Sequence, residues 1–517
     1  MARPFPTIRG EPRRAYDAMI VGAGIGGLTC AALLARAGLH VLVAEQHYMV
    51  GGYCSTFRRS GYTFDAATHF YPLLGNPETI TGRVLQDLGV STGWVKMDPV
   101  DHFHLPDGTR FDVPSDFNTY RRRLAALFPD EATALDQFFA LVRTAYLAGL
   151  LEHFRWRESA RHAALRSLTV RDVLDRCFHD ERLKLLLTAD CPHWGSPPCR
   201  TSFVFDSMLR LSYFLGNYYP KGGSQAFADA LASRVAAYGG DIMMGTPVTR
   251  IVGDSGGARG VELLVGPARS RRRMLVGAPI VISNADLTDT VERLLDPRMV
   301  APEVRAEIGR LEPSYPCFLM HVGLRDVSAD LLRERQGYYW DGWDSDRVGV
   351  DALRFKLFVP TLYEPAMAPA GGQVLIVQKV QAIDYDSIAD WPAHKAEVER
   401  FILSRLERLM PGITSRMVVR LSATAATHQR YTLNHRGAML GWEMSPTQLA
   451  AARPDVSTAI PGLHLVGHWA RPGGGITPVI VSAMEVARRV GATVTASRPD
   501  DPRPVSNDHA ALEAALS

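Results

Sequence analysis

A glycine-rich turn between a short apolar strand and a helix constrains this chain more than any other feature. Residues 16–21 predict a buried strand, and residues 22–27, which follow it, read GAGIGG. In this G-x-G-x-x-G spacing the first glycine permits a tight turn, the second lets backbone approach a pyrophosphate, and the third lets helix pack on strand. A helix through Ala37 and a second apolar strand at 40–44 follow. The pattern predicts a βαβ unit of the Rossmann type.

An acidic residue and a second glycine pair follow the second predicted strand. Glu45 can accept hydrogen bonds from both hydroxyls of an adenosine ribose, and its charge disfavours a 2′-phosphate. Gly51 and Gly52 then let the chain pass close to the pyrophosphate and a flavin, which a plain NAD dehydrogenase does not need. Together these features favour FAD over NAD. The alternative is a surface glutamate after an incidental glycine turn.

Composition excludes several classes of function. The 517 residues carry a formal net charge of +3, which gives no strong field for nucleic acid. The six cysteines are scattered without a Cys-x-x-Cys pair, a pattern typical of reduced thiols in a cytoplasmic protein without a metal site. The N-terminus does not resemble a secretory signal, and no stretch reaches about 18 consecutive apolar residues. A cytoplasmic location is predicted, and peripheral membrane contact remains compatible with it.

The order of predicted elements indicates two intertwined domains of an α/β protein. The ends of the chain alternate strand and helix, whereas the middle combines long helical patterns with partly alternating strands. We predict a Rossmann-type FAD-binding domain and a discontinuous mixed α+β substrate domain. The predicted segments are 14–100, 219–300 and 452–496 for the FAD-binding domain, 101–218 and 301–451 for the substrate domain, and 497–517 for a disordered tail.

Several blocks of the chain resemble, in order, those of the phytoene desaturase and carotenoid isomerase family of flavoproteins. That family includes the retinol saturases and belongs to the amine-oxidase-like superfamily. The blocks are VGAGIGGLTCAALLARAG with VLVAEQ, GGYCSTFRRSGYTFDAATHFYPLLG at 51–75, YPKGGSQAFADAL at 219–231, VISNAD at 281–286, THQRYTLNHRGAMLGWE at 427–443 and PGLHLVGHWARPGGGITPVIVSAMEVA at 461–487. The resemblance implies an FAD enzyme that acts on a long apolar substrate: a carotenoid, another polyisoprenoid or a fatty acyl chain.

The motifs and the resemblance together predict the residues that contact FAD. They are Gly22, Ala23, Gly24, Ile25, Gly26, Gly27, Glu45, Gln46, Gly51, Gly52, Tyr53, Val248, Gly467, His468 and Ile476. The helix that begins near Ile476 is implied to aim its N-terminus at the flavin pyrimidine edge, where a helix dipole favours reduction. Two positions depart from the superfamily pattern. Tyr53 replaces a basic residue, and His468 replaces an acidic one that binds the ribityl chain.

The sequence offers few candidates for side-chain catalysis. It contains no Ser-His-Asp pattern, no metal-spaced histidines and no paired carboxylates, as expected when a flavin carries the redox step. His69 is the best candidate beside the flavin ring, and His428 and Tyr431 are weaker ones. A hydrogen-bonded structural role is the alternative for each. Oxygen or a quinone is predicted as the electron acceptor of a desaturase, since a single nucleotide fingerprint provides no second site for NAD(P)H.

Two other functions remain open at this level. An amine or porphyrinogen oxidase of the same superfamily would need a polar or charged pocket. A non-catalytic escort protein for prenyl lipids would share the fold without flavin chemistry, and the intact glycine turn and Glu45 argue against it. Desaturase, isomerase and saturase are not separable, because each needs the same placement of the flavin.

Overall fold

A computed structural model of the chain describes residues 3–67, 70–155, 160–267 and 269–496. The strands, in chain order, are β1 Ala18–Val21, β2 Val41–Ala44, β3 Thr56–Arg59, β4 Tyr62–Asp65, β5 Trp94–Lys96, β6 Asp101–His104, β7 Arg110–Val113, β8 Tyr218–Pro220, β9 Asp241–Met243, β10 Val248–Asp254, β11 Gly257–Val265, β12 Arg272–Gly277, β13 Ile280–Ser283, β14 Cys317–Arg325, β15 Gly337–Trp340, β16 Leu353–Phe358, β17 Gly372–Val380, β18 Met417–Ala423 and β19 Leu463–Leu465. The helices are α1 Ile25–Arg36, α2 Ile80–Asp87, α3 Phe117–Leu127, α4 Ala132–Arg155, α5 Ala160–Arg166, α6 Val170–Cys177, α7 Glu181–Thr188, α8 Phe203–Phe214, α9 Ser224–Ala237, α10 Leu287–Asp289, α11 Pro302–Ile308, α12 Ala329–Arg335, α13 Trp391–Leu409, α14 Ala425–Thr432 and α15 Ile476–Ala496.

A five-stranded parallel sheet in the order β19-β13-β1-β2-β9 unites segments from both ends of the chain. Strands β1 and β2 are buried along their whole length, which explains why their apolar residues do not alternate with polar ones. Helix α1 packs against α9 and α15 and is buried at ten of its positions. The predicted βαβ unit and the α/β fold class are confirmed.

A second sheet has seven strands in the order β18-β14-β17-β16-β15-β6-β7. Its pairs are antiparallel except for β15 and β6, which run parallel. The strands predicted within 301–451 all belong to this sheet. The long helical patterns of the middle of the chain begin only after β6 and β7, which form a hairpin that extends the sheet. Short strands that pair with distant segments carry too few residues for a clear period.

The tertiary contacts of the middle region form a separate apolar core. Helices α3, α4, α6, α7 and α8 pack with residues of β6, β7 and β15 around it. All five strands of the parallel sheet come from 14–100, 219–300 and 452–496, and all seven strands of the mixed sheet come from 101–113 and 317–423. Strands β10, β11 and β12 form a separate three-stranded sheet. The division into two domains stays a prediction, and the predicted disordered tail, 497–517, lies outside the described residues.

The carboxyl ends of the parallel strands meet at one edge of the sheet. Gly22 follows β1, Glu45 follows β2, and Asn284 follows β13. In the sheet, β2 lies on one side of β1 and β13 lies on the other, so the order of the strands reverses at β1. In open α/β sheets ligands bind in the crevice at such a switch point. A ligand site is therefore expected at this edge.

Candidate functional site

The turn after β1 forms a tightly packed cradle at the N-terminus of α1. Gly24 precedes the helix with an extended backbone and no side-chain cap, and the first turn holds no acidic residue. A Cβ atom on Gly27 would lie 2.4 Å from the carbonyl oxygen of Gly22, so only glycine fits there. The uncapped N–H groups and the helix dipole suit a phosphate group.

Asn284 closes this cradle from the neighbouring strand and was not among the predicted residues. Its Oδ1 accepts a hydrogen bond of 3.0 Å from the backbone N–H of Gly27. A Cβ atom on Gly24 would lie 2.8 Å from the Asn284 Nδ2. The only signal in the sequence is its position after a predicted strand in VISNAD, which does not reveal how close β13 lies to β1.

Glu45 is fixed at the end of β2 by backbone hydrogen bonds. Its Oε2 accepts from the N–H of Ala23 and its Oε1 from the N–H of His47, each at 2.7 Å. Burial raises the pKa of the Glu45 carboxyl, and these N–H groups oppose that shift. The carboxylate lies on the cavity wall beside the glycine turn.

The second glycine pair lies directly against the first turn. The N–H of Gly51 donates to the carbonyl of Ala23 at 2.8 Å, and Gly24 and Gly51 form an isolated parallel bridge. The neighbouring Tyr53 donates from its hydroxyl to the carbonyl of Ala438 at 3.0 Å. Burial raises the pKa of the Tyr53 hydroxyl to about 12. Tyr53 therefore contributes an uncharged ring to the wall where a basic residue is usual.

The C-terminal block reaches the same edge of the sheet from the other side. His468 is hydrogen-bonded through Nε2 to Oδ1 of Asn434 at 3.0 Å, and burial together with Arg453 lowers the pKa of His468 to about 3. The imidazole is therefore neutral near pH 7, and Nε2 carries its proton. Helix α15 begins at Ile476, on the cavity wall.

One continuous cavity of about 2040 Å³ joins these groups. Of the fifteen predicted residues, all except Ala23 and Gly27 line it, and those two are buried beneath its floor. A small-molecule pocket usually measures about 300–1,000 Å³, so this cavity has room for a dinucleotide and a second large ligand. The free helix N-terminus, the glycine cradle and the buried Glu45 fit an adenine dinucleotide.

The rest of the cavity is an arm with mostly apolar walls. Its apolar wall residues from α4, α8 and the mixed sheet with nearby loops include Tyr146, Leu147, Leu150, Leu151, Phe205, Met208, Leu209, Leu215, Leu319, Leu421, Ala423, Met439, Leu440 and Met444. The polar wall residues from the same helices and sheet are Ser212, Tyr213, Cys317, His321, Gln378 and Ser422. On each helix the apolar positions recur at spacings of three and four, which places them on one face. The α8 part of the aromatic-rich segment 203–219 lines this arm, whereas no residue of 353–363 lies on the cavity wall.

The three candidate catalytic residues differ in where they lie. His69 lies outside the described residues. His428 is buried on the cavity wall, where its Nε2 donates to the carbonyl of Cys317 at 3.0 Å and burial lowers its pKa to about 4. Tyr431 lines the cavity but is 55% exposed. Among the described residues, no group of three or more His, Cys, Asp or Glu side chains could hold a metal ion.

His321 should make the stability of the folded protein depend on pH. It lies on β14 at the cavity wall, and its Nε2 donates to the carbonyl of Asp65 at 3.0 Å. Burial lowers the pKa of His321 to about 4, whereas an unfolded histidine titrates near 6.5. The stability that this neutral imidazole contributes is therefore present above pH 6.5 and is lost as the pH falls toward 4.

We expect His321→Gln to remove this loss, since glutamine can donate the same hydrogen bond without titrating. Between pH 7 and pH 4 the unsubstituted protein should lose ~3 kcal/mol of unfolding free energy relative to the variant. Denaturant unfolding at saturating flavin in a pH series measures the difference. Parallel pH profiles for the two proteins would contradict the assignment of a neutral, buried His321.

Comparison with known proteins gives both family and fold relatives. The profile of flavin-containing amine oxidoreductases matches residues 25–491. The chain is 28% identical to a chloroplastic prolycopene isomerase of Daucus carota, over 93% of this chain and 80% of that protein. It is 27% identical to a zeta-carotene-forming phytoene desaturase of Myxococcus xanthus, over 91% and 93%. An all-trans-retinol 13,14-reductase of Danio rerio is 26% identical, over 87% and 82%.

The solved structures extend the likeness in fold. Cyclohexylamine oxidase from Brevibacterium oxydans IH-35A superposes with a TM-score of 0.62 at 19% identity, covering 93% of this chain and 99% of that chain. At this identity the likeness shows a shared fold and carries no information about the substrate.

Proposed function

This chain belongs to the family of flavin-containing amine oxidoreductases, and from that premise we propose that it desaturates, isomerises or saturates carbon–carbon bonds of a long lipophilic substrate. It is an FAD-dependent oxidoreductase. By their names, these relatives act on prolycopene, phytoene and all-trans-retinol. The observation that carries the proposal is the single cavity, which joins the glycine cradle to an apolar arm. A carotenoid, another polyisoprenoid or a fatty acyl chain fits such an arm.

We propose that the predicted residues hold FAD along the strand edge. The N–H groups at the start of α1 would bind the pyrophosphate, and Glu45 would accept the ribose hydroxyls. Val248, on β10 at the cavity wall, would contact the adenine, while His468 and the N-terminus of α15 would face the flavin end. When bound, FAD supplies the two-electron redox chemistry. The protein then binds and orients the lipophilic substrate and keeps water away from it.

The walls of the arm favour a hydrocarbon over an amine. An ammonium group needs a carboxylate or an aromatic cage, because burying an unpaired charge is very costly. The described side chains that line the arm from α4, α8 and β14 include no carboxylate. Among the polar groups on its walls, Gln378 and Ser212 are uncharged, and burial keeps His321 and His428 neutral. The amine or porphyrinogen oxidase alternative lacks this support, and enzyme family membership sets the escort alternative aside.

The direct test is anaerobic reaction of the purified holoenzyme with polyene and isoprenoid chains. Loss of the oxidised flavin absorbance on addition of such a chain, with a dehydrogenated product, would identify a desaturase. Geometric isomerisation without net flavin reduction would identify an isomerase, and saturation by the chemically reduced enzyme a saturase. If primary amines alone reduced the flavin, the proposal would be wrong.

A bulky residue in the arm should separate substrate binding from cofactor binding. We expect Leu209→Trp, on the cavity face of α8, to slow turnover of the long substrate about 10- to 100-fold, because the indole fills the arm. The acid-released FAD content should not change. Leu127→Trp makes the same substitution at a side chain that is 53% exposed and outside the cavity wall, and it should retain full turnover. Equal turnover rates for the two variants would show that the long substrate does not bind in this arm.

We propose that the substrate reaches the arm from a membrane surface. Three leucines of the arm, Leu147, Leu151 and Leu215, are 40%, 39% and 45% exposed. The helical segment Pro129–Leu151 is long and apolar enough to cross a bilayer, by length and composition only. Of its most apolar 18-residue stretch, 39% is buried inside the protein. Exposed apolar side chains at a cavity mouth suit contact with lipid.

Oxygen or a quinone remains our proposed electron acceptor for the desaturase direction.

A further inference from the structure

Arg453 is a buried arginine directly behind the cavity wall. It follows the turn Ala450–Ala452 and is 2% exposed. Its Nη2 donates to the backbone carbonyl of His468 at 2.8 Å, and its Nη1 lies 3.5 Å from the Sδ of Met444. His468 and Met444 both line the cavity. The guanidinium therefore lies one residue behind the wall, at the end of the cavity proposed for the flavin.

The positive charge of Arg453 forms no ion pair within the described part of the chain. Its guanidinium donates only to uncharged acceptors, which are the backbone carbonyls of Trp442, Glu443, Gln448 and His468 and the thioether of Met444. The two acidic side chains closest to it in sequence are used elsewhere. Asp455 pairs with Arg489 at 2.8 Å. Glu443 pairs with Arg200 at 2.8 Å.

The charge of Arg453 is felt at the cavity wall. Burial lowers the pKa of Arg453 to about 9, so the guanidinium stays protonated near pH 7. Together with burial, this charge lowers the pKa of His468 to about 3, because a protonated imidazole would place a second positive charge beside the first. A position at which a positive charge is disfavoured favours a negative charge through the same interaction.

His468 leaves the charge of Arg453 uncompensated at the wall. Asn434 Oδ1 accepts from the Trp469 indole N–H at 3.0 Å, and an indole can only donate, so the orientation of the amide is fixed. His468 Nε2 donates to the same oxygen, and the imidazole is neutral. Asp286, which also lines the cavity, accepts from two backbone N–H groups instead. The acidic residue that the resemblance implies at 468 would have compensated Arg453.

The start of α15 adds positive potential at the same place. A Cβ atom on Gly473 would lie 3.3 Å from Cζ of Arg453, so the guanidinium packs under the loop that leads into α15 at Ile476. The N–H groups at a helix N-terminus carry a partial positive charge. Ile476 lines the cavity. A full charge and a helix dipole therefore act together on this end of the cavity.

We propose that Arg453 raises the reduction potential of the bound flavin, so that hydride uptake from the substrate is favoured over hydride donation to it. This inference rests on the proposed function and narrows it toward desaturation and away from saturation. Arg453 touches neither the substrate nor the flavin in this assignment. It acts through its electric field and is not a catalytic residue.

The charge balance of a desaturation gives the reason. One carbon–hydrogen bond of the substrate breaks, and its electron pair leaves with the hydrogen as hydride. The flavin accepts these two electrons and one proton and gains one negative charge. The neighbouring carbon releases its hydrogen to solvent as a proton, and the carbon–carbon double bond forms. A fixed positive charge behind the wall stabilises the new negative charge without reorganisation.

The test is the midpoint potential of the FAD-loaded enzyme, measured without substrate by equilibration with a reference dye of known potential. Arg453→Met removes the charge and keeps a long side chain. We expect the equilibrium constant for flavin reduction to fall about tenfold, the effect of a unit charge about 10 Å away at an effective dielectric constant of about 20. This change lowers the potential of a two-electron couple by about 30 mV.

Two further substitutions separate the charge from the structure that it supports. Arg453→Lys keeps the positive charge and loses most of the carbonyl contacts, and it should retain most of the potential. Arg400→Met makes the same exchange as Arg453→Met at an exposed arginine on α13, outside the cavity wall. It is the matched control and should leave the potential unchanged.

A change at Met444 tests the same charge with Arg453 in place. Met444→Glu would put a carboxylate beside the guanidinium, because the Met444 Sδ lies 3.5 Å from Nη1. The resulting ion pair compensates the charge, so the equilibrium constant for flavin reduction should again fall about tenfold. Met444→Gln has the same shape without the charge and should fall by less than about threefold. If Arg453→Met does not fold or retains no FAD, this pair decides the question.

The outcomes distinguish this inference from the function on which it rests. Equal potentials for Met444→Glu and Met444→Gln, or equal losses for Arg453→Met and Arg453→Lys, would overturn the role of Arg453 and leave the proposed function standing. Reduction of the flavin by primary amines alone would overturn the proposed function, whereas the potentials, measured without substrate, would still test the charge of Arg453.

Discussion

We expect the Gly24→Val protein to purify with about one tenth or less of the FAD that the unsubstituted chain retains. A Cβ atom at this position would lie 2.8 Å from Nδ2 of Asn284, and the two valine methyl groups extend further into the cavity. They would occupy the space through which a pyrophosphate approaches the start of α1. Overpacking costs about 1–3 kcal/mol, and the loss of helix N–H contacts adds to it.

The measurement is the acid-released FAD per mole of folded protein, followed by titration of the apoprotein with FAD. Gly10→Val adds the same side chain where a Cβ atom would meet nothing within 4 Å, and it should retain full flavin. Near-ultraviolet circular dichroism of both apoproteins verifies that the variant folds. A folded Gly24→Val protein with stoichiometric flavin would show that the pyrophosphate binds elsewhere.

The second large effect is expected at Glu45. Replacement by leucine removes the acceptor for the N–H groups of Ala23 and His47 and the proposed acceptor for the ribose hydroxyls. The unpartnered N–H groups destabilise the free and FAD-bound protein alike, whereas each ribose hydroxyl buried without its acceptor weakens FAD binding by about 1–3 kcal/mol. We therefore expect Glu45→Leu to raise the Kd for FAD about 100-fold, and Glu45→Gln, which keeps one acceptor oxygen, to raise it about 10-fold.

Fluorescence titration of the apoproteins with FAD gives these constants. Glu397→Leu makes the same exchange at an exposed glutamate on α13, away from the cavity wall, and should bind FAD as the unsubstituted chain does. A Glu45→Leu protein that binds FAD within about twofold of the unsubstituted chain would contradict the ribose role, because the predicted loss exceeds 1 kcal/mol.

Local sequence features predicted the nucleotide-binding half correctly at the level of elements. Strand β1, the turn at 22–27, helix α1 and strand β2 are contiguous, so their propensities, hydrophobic pattern and glycine positions indicate one structure. Glu45 was found for the same reason, since it lies one residue after β2. The α/β class and the dependence on FAD follow from this local unit together with the resemblance in the later blocks.

Long-range packing decided what the local pattern does not contain. The sequence did not predict that Asn284 closes the glycine cradle, because this depends on β13 pairing with β1 across more than two hundred residues. Nor did it predict that β6 joins β15 in parallel. Such pairings are fixed by the burial of whole sheet faces, which no short window of sequence records.

The same distinction applies to the two ends of the cavity. The sequence by itself determined the end at which we propose that FAD binds, where consecutive residues build a turn, a helix N-terminus and the proposed ribose acceptor. Only the tertiary structure decided the polar cluster beside the apolar arm, where β6, β15, β16 and the turn after α7 bring Asp101, Tyr338, Lys356 and His193 together. Each of these side chains is unremarkable in its own segment. Their chemistry arises because packing excludes water and places three acceptors around one buried ammonium.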